Sequence, residues 1–387
     1  MIPYGWHNID ETDINAVVDT LRSGSITQGK TVPQFEEAVS SYCRAKYAVA
    51  TNSATSALHI ACLALGVGPG DVVWTSPISF VASANCAIYC GASVDFVDIH
   101  PDTYNISIPA LTEKLERAKT SNSLPKVLIP VHMCGQSCEM ESIHQLSLQY
   151  GFHIIEDASH AIGGKYQSQP IGNGNYSEIT VFSFHPVKII TTGEGGMALT
   201  NDPEIENRLK KLRSHGTTSD PEEMQARPSE EIWNYQQIDL GFNYRMTDIA
   251  AALGLSQMQK LDSFVDRRRS IARRYDDALK HLPLIAPKQH PATESSYHLY
   301  PVQVCQKTSP KTQRQVINEL HAADIRVNLH YIPIYRQPFF EAMGFVPNHC
   351  PHAENYYRQT ISIPIYPNLS KDQQTEVIET LTRILKQ

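Results

Sequence analysis

The chain contains no apolar run approaching the roughly 20 residues that a membrane-spanning helix requires. Its first residues lack a basic segment followed by an apolar core, so a cytoplasmic location and no membrane partner are expected. Positive charge is not in excess either: 33 Lys and Arg against 40 Asp and Glu give a formal net charge of −7, which argues against nucleic acid as the main partner. Cysteine is sparse, at 8 in 387 residues, too few for a disulfide framework in a chain of this length. Cys86/Cys90 and Cys134/Cys138, the latter beside His132, are spaced more loosely than the usual paired zinc ligands. Cys86 and Cys90 fall in an Ala-rich apolar stretch where a free thiol behaves as a small hydrophobe, and no metal is expected. Internal repeats and low-complexity tracts are also missing. The one conspicuous basic cluster, Arg267-Arg268-Arg269 with Arg273-Arg274, reads as a solvated helix face.

What remains is an ordinary globular composition, 41% hydrophobic and 19% charged. A single core seldom exceeds about 250–300 residues, which implies more than one domain. Capping residues at Asn8–Thr12 precede the periodic Ile14, Val17, Val18 and Leu21, and Gly24 closes that helix. Strand and helix then alternate. Strands are expected at Tyr47–Thr51, Val72–Thr75, Val94–Asp98 and Val127–His132, ahead of Asp157, at Val181–Phe184 and at Met197–Thr200. Seven strands with intervening helices make an α/β, mostly parallel sheet covered by helices on both faces. Ser219–Trp233, with Pro221 and Pro228, reads as a surface loop. From about Leu261 long helices and scattered strands suggest a smaller C-terminal α/β domain. The expected organisation is residues 1–30 as an N-terminal helix and pocket-lining segment, 31–258 as a large domain and 259–387 as the small one.

Lys188 lies in a Thr- and Gly-rich turn between two strands, and Asp157 ends another strand. In open α/β sheets ligands sit beyond the carboxyl ends of strands, where both residues fall. An amine to bond an aldehyde and a carboxylate to keep a ring nitrogen protonated are what pyridoxal phosphate chemistry needs. Asn52-Ser53-Ala54-Thr55-Ser56 leads from a strand into a helix and offers an anion the free N–H groups of the helix start, although a Ser or Thr cap explains the same residues. Glycine-rich Gly172-Asn173-Gly174 and Gly193-Glu194-Gly195-Gly196 do not fit the strand, G-x-G-x-x-G, helix order of dinucleotide-binding enzymes.

Together these segments resemble the DegT/DnrJ/StrS family of sugar aminotransferases, and the resemblance runs from Pro3-Tyr4-Gly5 to Ile363-Pro364. It implies a fold-type I pyridoxal phosphate-dependent transferase and an obligate homodimer. It also implies roles. Lys188 would carry pyridoxal 5′-phosphate and Asp157 would pair with its ring nitrogen. Phe80 would stack on the ring, His160 would bond the phenolic oxygen, and Ser183, Ala54 and Thr55 would bind the phosphate. Asn243 would reach the phosphate of the other subunit. Tyr4, Ser25, Ile26, Thr27, His330, Tyr331 and Tyr356 would line the substrate pocket. Ser183-Phe184-His185-Pro186-Val187-Lys188 and Leu212-Arg213-Ser214-His215-Gly216 resemble the pseudaminic acid branch. That branch implies transfer of an amino group from an amino acid, such as L-glutamate, to C4 of a UDP-linked 4-keto-6-deoxy N-acetylated sugar. Amination of another nucleotide keto-sugar, of perosamine or bacillosamine type, and ligand sensing without catalysis remain open alternatives.

Overall fold

A computed structural model describes residues 1–226 and 230–386. Pro228 of the expected surface loop lies outside the described residues. Seven strands form the central sheet: β1 (Tyr47–Thr51), β2 (Val72–Thr75), β3 (Ser93–Phe96), β4 (Val127–Ile129), β5 (His153–Asp157), β6 (Ile179–Ser183) and β7 (Gly196–Thr200). Their spatial order is β1-β7-β6-β5-β4-β2-β3. β3, β2, β4, β5 and β6 run parallel, whereas β7 is antiparallel to both β6 and β1.

Both faces of the sheet are buried, and the two-residue period of a strand sorts its side chains between them. Val49, Ile129, Ile155, Val181 and Ala198 point to one face, where they pack with the helices Ala54–Ala64 and Ala82–Tyr89. Ala50, Phe182, Met197 and Leu199 point to the other, against Phe35 and Val39 of the helix Thr31–Cys43. Leu128 and Ile154 share that second face with Leu111 and Ile143. β4 stops at Ile129, three residues short of the expected end, because Pro130 has no N–H to continue the ladder.

A second core lies apart from this sheet. Ile271 and Tyr275 of the helix Leu261–Leu279 pack with Val302, Ile361 and Leu381 under a three-stranded antiparallel sheet built from Leu284–Ile285, Tyr300–Val304 and Thr360–Ile363. Here the expectation of a solvated arginine face holds only for the exposed Arg273. Arg268 is fully buried and donates to backbone carbonyls, Arg267 and Arg269 donate to the carbonyls of Leu369 and Ser295, and Arg274 donates to Lys371 O and Thr375 Oγ1. The guanidinium fork ties the helix to the loops around it, so these residues are mainly fasteners. Among the described residues no helix is long and apolar enough to cross a membrane.

Candidate active site

The carboxyl edge of the sheet gathers Thr51, Asp157 and Ser183 from the ends of β1, β5 and β6, and Gly196 from the start of antiparallel β7. Gly196 pairs with both Thr51 and Ser183, which sets the row. Glycine is required there: a Cβ on Gly196 would overlap the Ala54 amide nitrogen and the Ser53 carbonyl group. The strand therefore presses against the start of the helix Ala54–Ala64. Ser53 caps this helix, its Oγ accepting from Ser56 N at 3.1 Å. The cap engages only that one amide, and the N–H groups of Ala54 and Thr55 have no partner among the described residues. A side-chain cap and two unpaired amides thus coexist at this helix start.

Asp157 is 4% exposed. Its Oδ2 accepts from Ser83 Oγ at 2.6 Å and its Oδ1 from Ser159 N at 3.1 Å. Ser83 in turn bonds Ser79 Oγ at 2.7 Å. Lys188 follows β6 in the turn where its N–H donates to His185 O. Burial pushes its ammonium down to about 8, opposed by the attraction of Asp157 and then of Cys134. Lys188 and Asp157 therefore lie close enough for the carboxyl to act on the amine.

Histidines complete the wall. His160 Nδ1 accepts from Cys134 N at 3.3 Å, and its Nε2 lies 3.1 Å from the Tyr331 hydroxyl. Burial, then the charge of Lys188, holds His160 well below its ordinary pKa. It is a neutral ring whose proton is on Nε2, since Nδ1 is occupied as an acceptor. His330 is pushed down to about 3 by burial and Lys188. Its ring lies 5.1 Å from Tyr4 and its Nδ1 bonds Ser362 Oγ at 2.9 Å. Phe80 is exposed and 6.5 Å from Tyr331, centroid to centroid.

The structure thus brings together Lys188, Asp157, His160, His330, Tyr331 and Tyr4, and sets Ala54, Thr55 and Ser183 along the same edge. Tyr356 stands behind the wall: it is buried and its hydroxyl donates to His330 O at 2.8 Å. Ser25, Ile26 and Thr27 are exposed, bridging Thr247 and accepting from Asp248 N, and Asn243 is exposed beside Ser214. No hydrogen bond or ring contact among the described residues joins these four to Lys188, Asp157 or His160. Sequence reasoning assigned no role to Ser83, Gly196 or His298. The spacing of Ser79 and Ser83, polar residues four apart in an apolar Ala-rich stretch, was a signal for the first. His132 is engaged as well, with Nδ1 accepting from Cys138 N and Nε2 bonding Glu156 at 2.6 Å.

The family profile for DegT/DnrJ/EryC1/StrS aminotransferases matches residues 7–382. The chain belongs to this aminotransferase family. Among its relatives is the spore coat polysaccharide biosynthesis protein SpsC of Bacillus subtilis, 38% identical over 388 residues, with 100% of this chain and 97% of SpsC covered. Another is the UDP-4-amino-4,6-dideoxy-N-acetyl-beta-L-altrosamine transaminase of Campylobacter jejuni, 36% identical over 393 residues, with 100% and 98% covered. Among solved structures, the PMP-form of Spr1654 from Streptococcus pneumoniae superposes with a TM-score of 0.89 at 31% identity, covering 100% of this chain and 99% of that one. Family membership makes the protein an aminotransferase, and the neighbouring structure has the same mostly parallel α/β architecture.

Proposed function

We propose that the protein is a pyridoxal 5′-phosphate-dependent aminotransferase. On this reading it moves an amino group from an amino acid such as L-glutamate to C4 of a UDP-linked 4-keto-6-deoxy N-acetylated sugar. The product would be UDP-4-amino-4,6-dideoxy-N-acetyl-β-L-altrosamine, an intermediate of pseudaminic acid biosynthesis. The observation that carries the cofactor assignment is the buried Asp157, held by Ser83 and Ser159 at the same sheet edge as the unpaired amides of Ala54 and Thr55. The Campylobacter relative supports the sugar. The Bacillus relative, slightly more identical and tied by name to a coat polysaccharide, favours another nucleotide keto-sugar as the second reading.

The residues present fit the cofactor. The unpaired amides of Ala54 and Thr55, beside Ser183, suit a phosphate at a helix start. When bound, pyridoxal phosphate supplies an aldehyde and an electron-accepting ring. Lys188 Nζ would hold that aldehyde and, when free, could move a proton at the donor's α-carbon. Asp157, oriented through both oxygens by Ser83 and Ser159, keeps a proton on the ring nitrogen. His160 offers its Nε2–H to the phenolic oxygen. Phe80 covers the ring, while Tyr4, His330 and Tyr331 face the sugar, with Tyr356 holding the His330 carbonyl in place. Organisation as residues 1–30, 31–258 and 259–387 places all the cofactor contacts in the middle segment.

The exposure of Asn243, Ser25, Ile26 and Thr27 suits service to the pocket of a second copy. So does the run of exposed apolar side chains Ile232 (92%), Trp233 (73%) and Leu240 (73%), more than a monomer usually shows in one segment. These features support a homodimer. Three measurements test these readings. Purified protein should show the visible absorbance of lysine-bound pyridoxal phosphate, and glutamate with a panel of UDP-, GDP- and dTDP-linked 4-keto-6-deoxy sugars should give product only from the UDP sugar. Mixing inactive Lys188→Met and Asn243→Ala chains should restore one working pocket per dimer. Activity from the GDP or dTDP sugar alone would transfer the assignment to the second reading, and no recovery on mixing would remove Asn243 from the partner's site.

A further inference from the structure

Arg268 is a cation that none of this chemistry uses. It is 0% exposed in the helix Leu261–Leu279 and has no carboxylate partner among the described residues. Its Nη1 donates to Tyr297 O at 3.3 Å, His298 O at 3.2 Å and Ile365 O at 2.9 Å. Its Nε and Nη2 have no partner among the described residues. A buried charge without a counter-charge is costly, and hydrophobic replacement of such groups is often neutral or stabilising. Stability alone is a weak reason to place it there.

The segment it grips leads directly to the pocket. Ser296 Oγ donates to His160 O at 3.0 Å, and Ser296 N donates to Gly135 O at 3.1 Å. A Cβ on Gly135 would collide with Ser296 Oγ and crowd Tyr297 N, so the segment and the Cys134–Gly135 turn are in close contact. The His298 ring packs on the His160 ring with centroids 4.4 Å apart, and its Nδ1 has no partner among the described residues. The same Cys134 donates its N–H to His160 Nδ1. A shift of the Tyr297–His298 backbone is thereby passed to two of the contacts that fix the His160 ring, those from Cys134 and His298.

We propose that Arg268 is a positioning residue of the active site: by clamping the carbonyls of Tyr297, His298 and Ile365 it holds the buried His298 against His160. The groups facing His298 are His160, Lys188, Arg268 and His330; burial first, then these four, hold it well below its ordinary pKa. An imidazolium at His298 would repel Lys188 and break the packing on His160. The effect on catalysis rests on the proposed function, whereas the effect on histidine titration does not.

The test uses full-length protein labelled with ¹³C-histidine, with His160→Gln and His298→Gln variants to assign the two signals. In the wild type neither signal should titrate between pH 5 and 8, a window around the ordinary histidine value of about 6.5. In Arg268→Met the His298 signal should titrate inside that window, and kcat should fall about tenfold or more, as expected for a misplaced contact, with KM for the keto-sugar unchanged. Arg268→Lys keeps a charge without the fork, so the His298 signal should still titrate inside that window and kcat should stay low. Arg268→Met that loses thermal stability but keeps silent histidines and wild-type kcat would overturn the proposal and leave only a structural fastener. Should that variant not fold, Arg268→Lys decides alone, since wild-type kcat there would remove the clamp. A protein inactive on every sugar tested would defeat the functional reading, yet the histidine signals would still report on Arg268.

Discussion

Lys188 and Arg268 are both cations held away from bulk water, and they differ in what surrounds them. Lys188 sits at the carboxyl edge of the central sheet, half-buried, where burial lowers it to about 8 and Asp157 pulls it back up. Arg268 sits beneath the small sheet among carbonyl groups, and burial alone lowers it to about 9. A lysine at that value sheds its proton near neutral pH and becomes a nucleophile and base. A guanidinium keeps its charge and spends its donors on geometry. One site has a charge that can be switched off; the other has a charge that stays fixed and a shape that holds a segment in place.

The comparison breaks first at Lys188. Lys188→Met should lower transamination by at least about 10³-fold, the upper range for loss of a positioned base and nucleophile. It should also raise the melting temperature at pH 7 by about 1–3 °C, because the variant no longer buries a cation. The sign follows from linkage. The folded chain holds the proton less tightly than the unfolded one, whose lysine titrates near 10.5, so the wild type gains stability as pH rises from about 8 toward that value. The gap between variant and wild type should therefore shrink above pH 8, and a gap constant with pH would show that burial does not set the Lys188 amine. Cofactor capture by the wild type should accelerate with pH and level off above about 8.

Asp157→Asn should be next, with a loss of about 10²-fold in kcat from an uncharged group facing the ring nitrogen. Asparagine can keep the bond from Ser159 N and face Ser83 with its amide. Folding should be little changed, as circular dichroism melting would check. Activity retained within about threefold would mean that another group holds the ring proton.

The two regions were unequally legible in the sequence. The edge of the large sheet could be read because its residues lie at strand ends fixed by period-two burial, and strand ends predict a shared edge. Asp157 and Lys188 followed from that rule and Ala54 and Thr55 from the strand-to-helix start, whereas Ser183 came through the resemblance. Phe80 and the histidine wall came only through family resemblance, since one aromatic or one histidine carries no spacing signal. The arginines of the helix Leu261–Leu279 were misread because charge at consecutive positions normally marks a wet face. Their partners are carbonyls of Tyr297, Ser295 and Ile365, backbone atoms 26 to 97 residues away, and backbone acceptors leave no trace in residue type. His298 was missed for the same reason: what marks it is the ring it packs on.

The smallest expected effect separates a third kind of site, the anion cradle proposed at the start of the helix Ala54–Ala64, from the two cations. That cradle is made of backbone N–H groups, so side-chain substitutions should reach it only indirectly. Ser53→Ala removes the cap on Ser56 N and should cost about 1 kcal/mol of stability. Cofactor affinity should fall only a few-fold, because the amides of Ala54 and Thr55 keep their places against Gly196. Thr55→Ala keeps every amide and should cost less still, unless the hydroxyl itself carries the phosphate. Equilibrium dialysis of the two variants against pyridoxal phosphate tells these apart: a larger loss for Thr55→Ala than for Ser53→Ala would make this a side-chain site, as at Lys188, and not one written into the backbone.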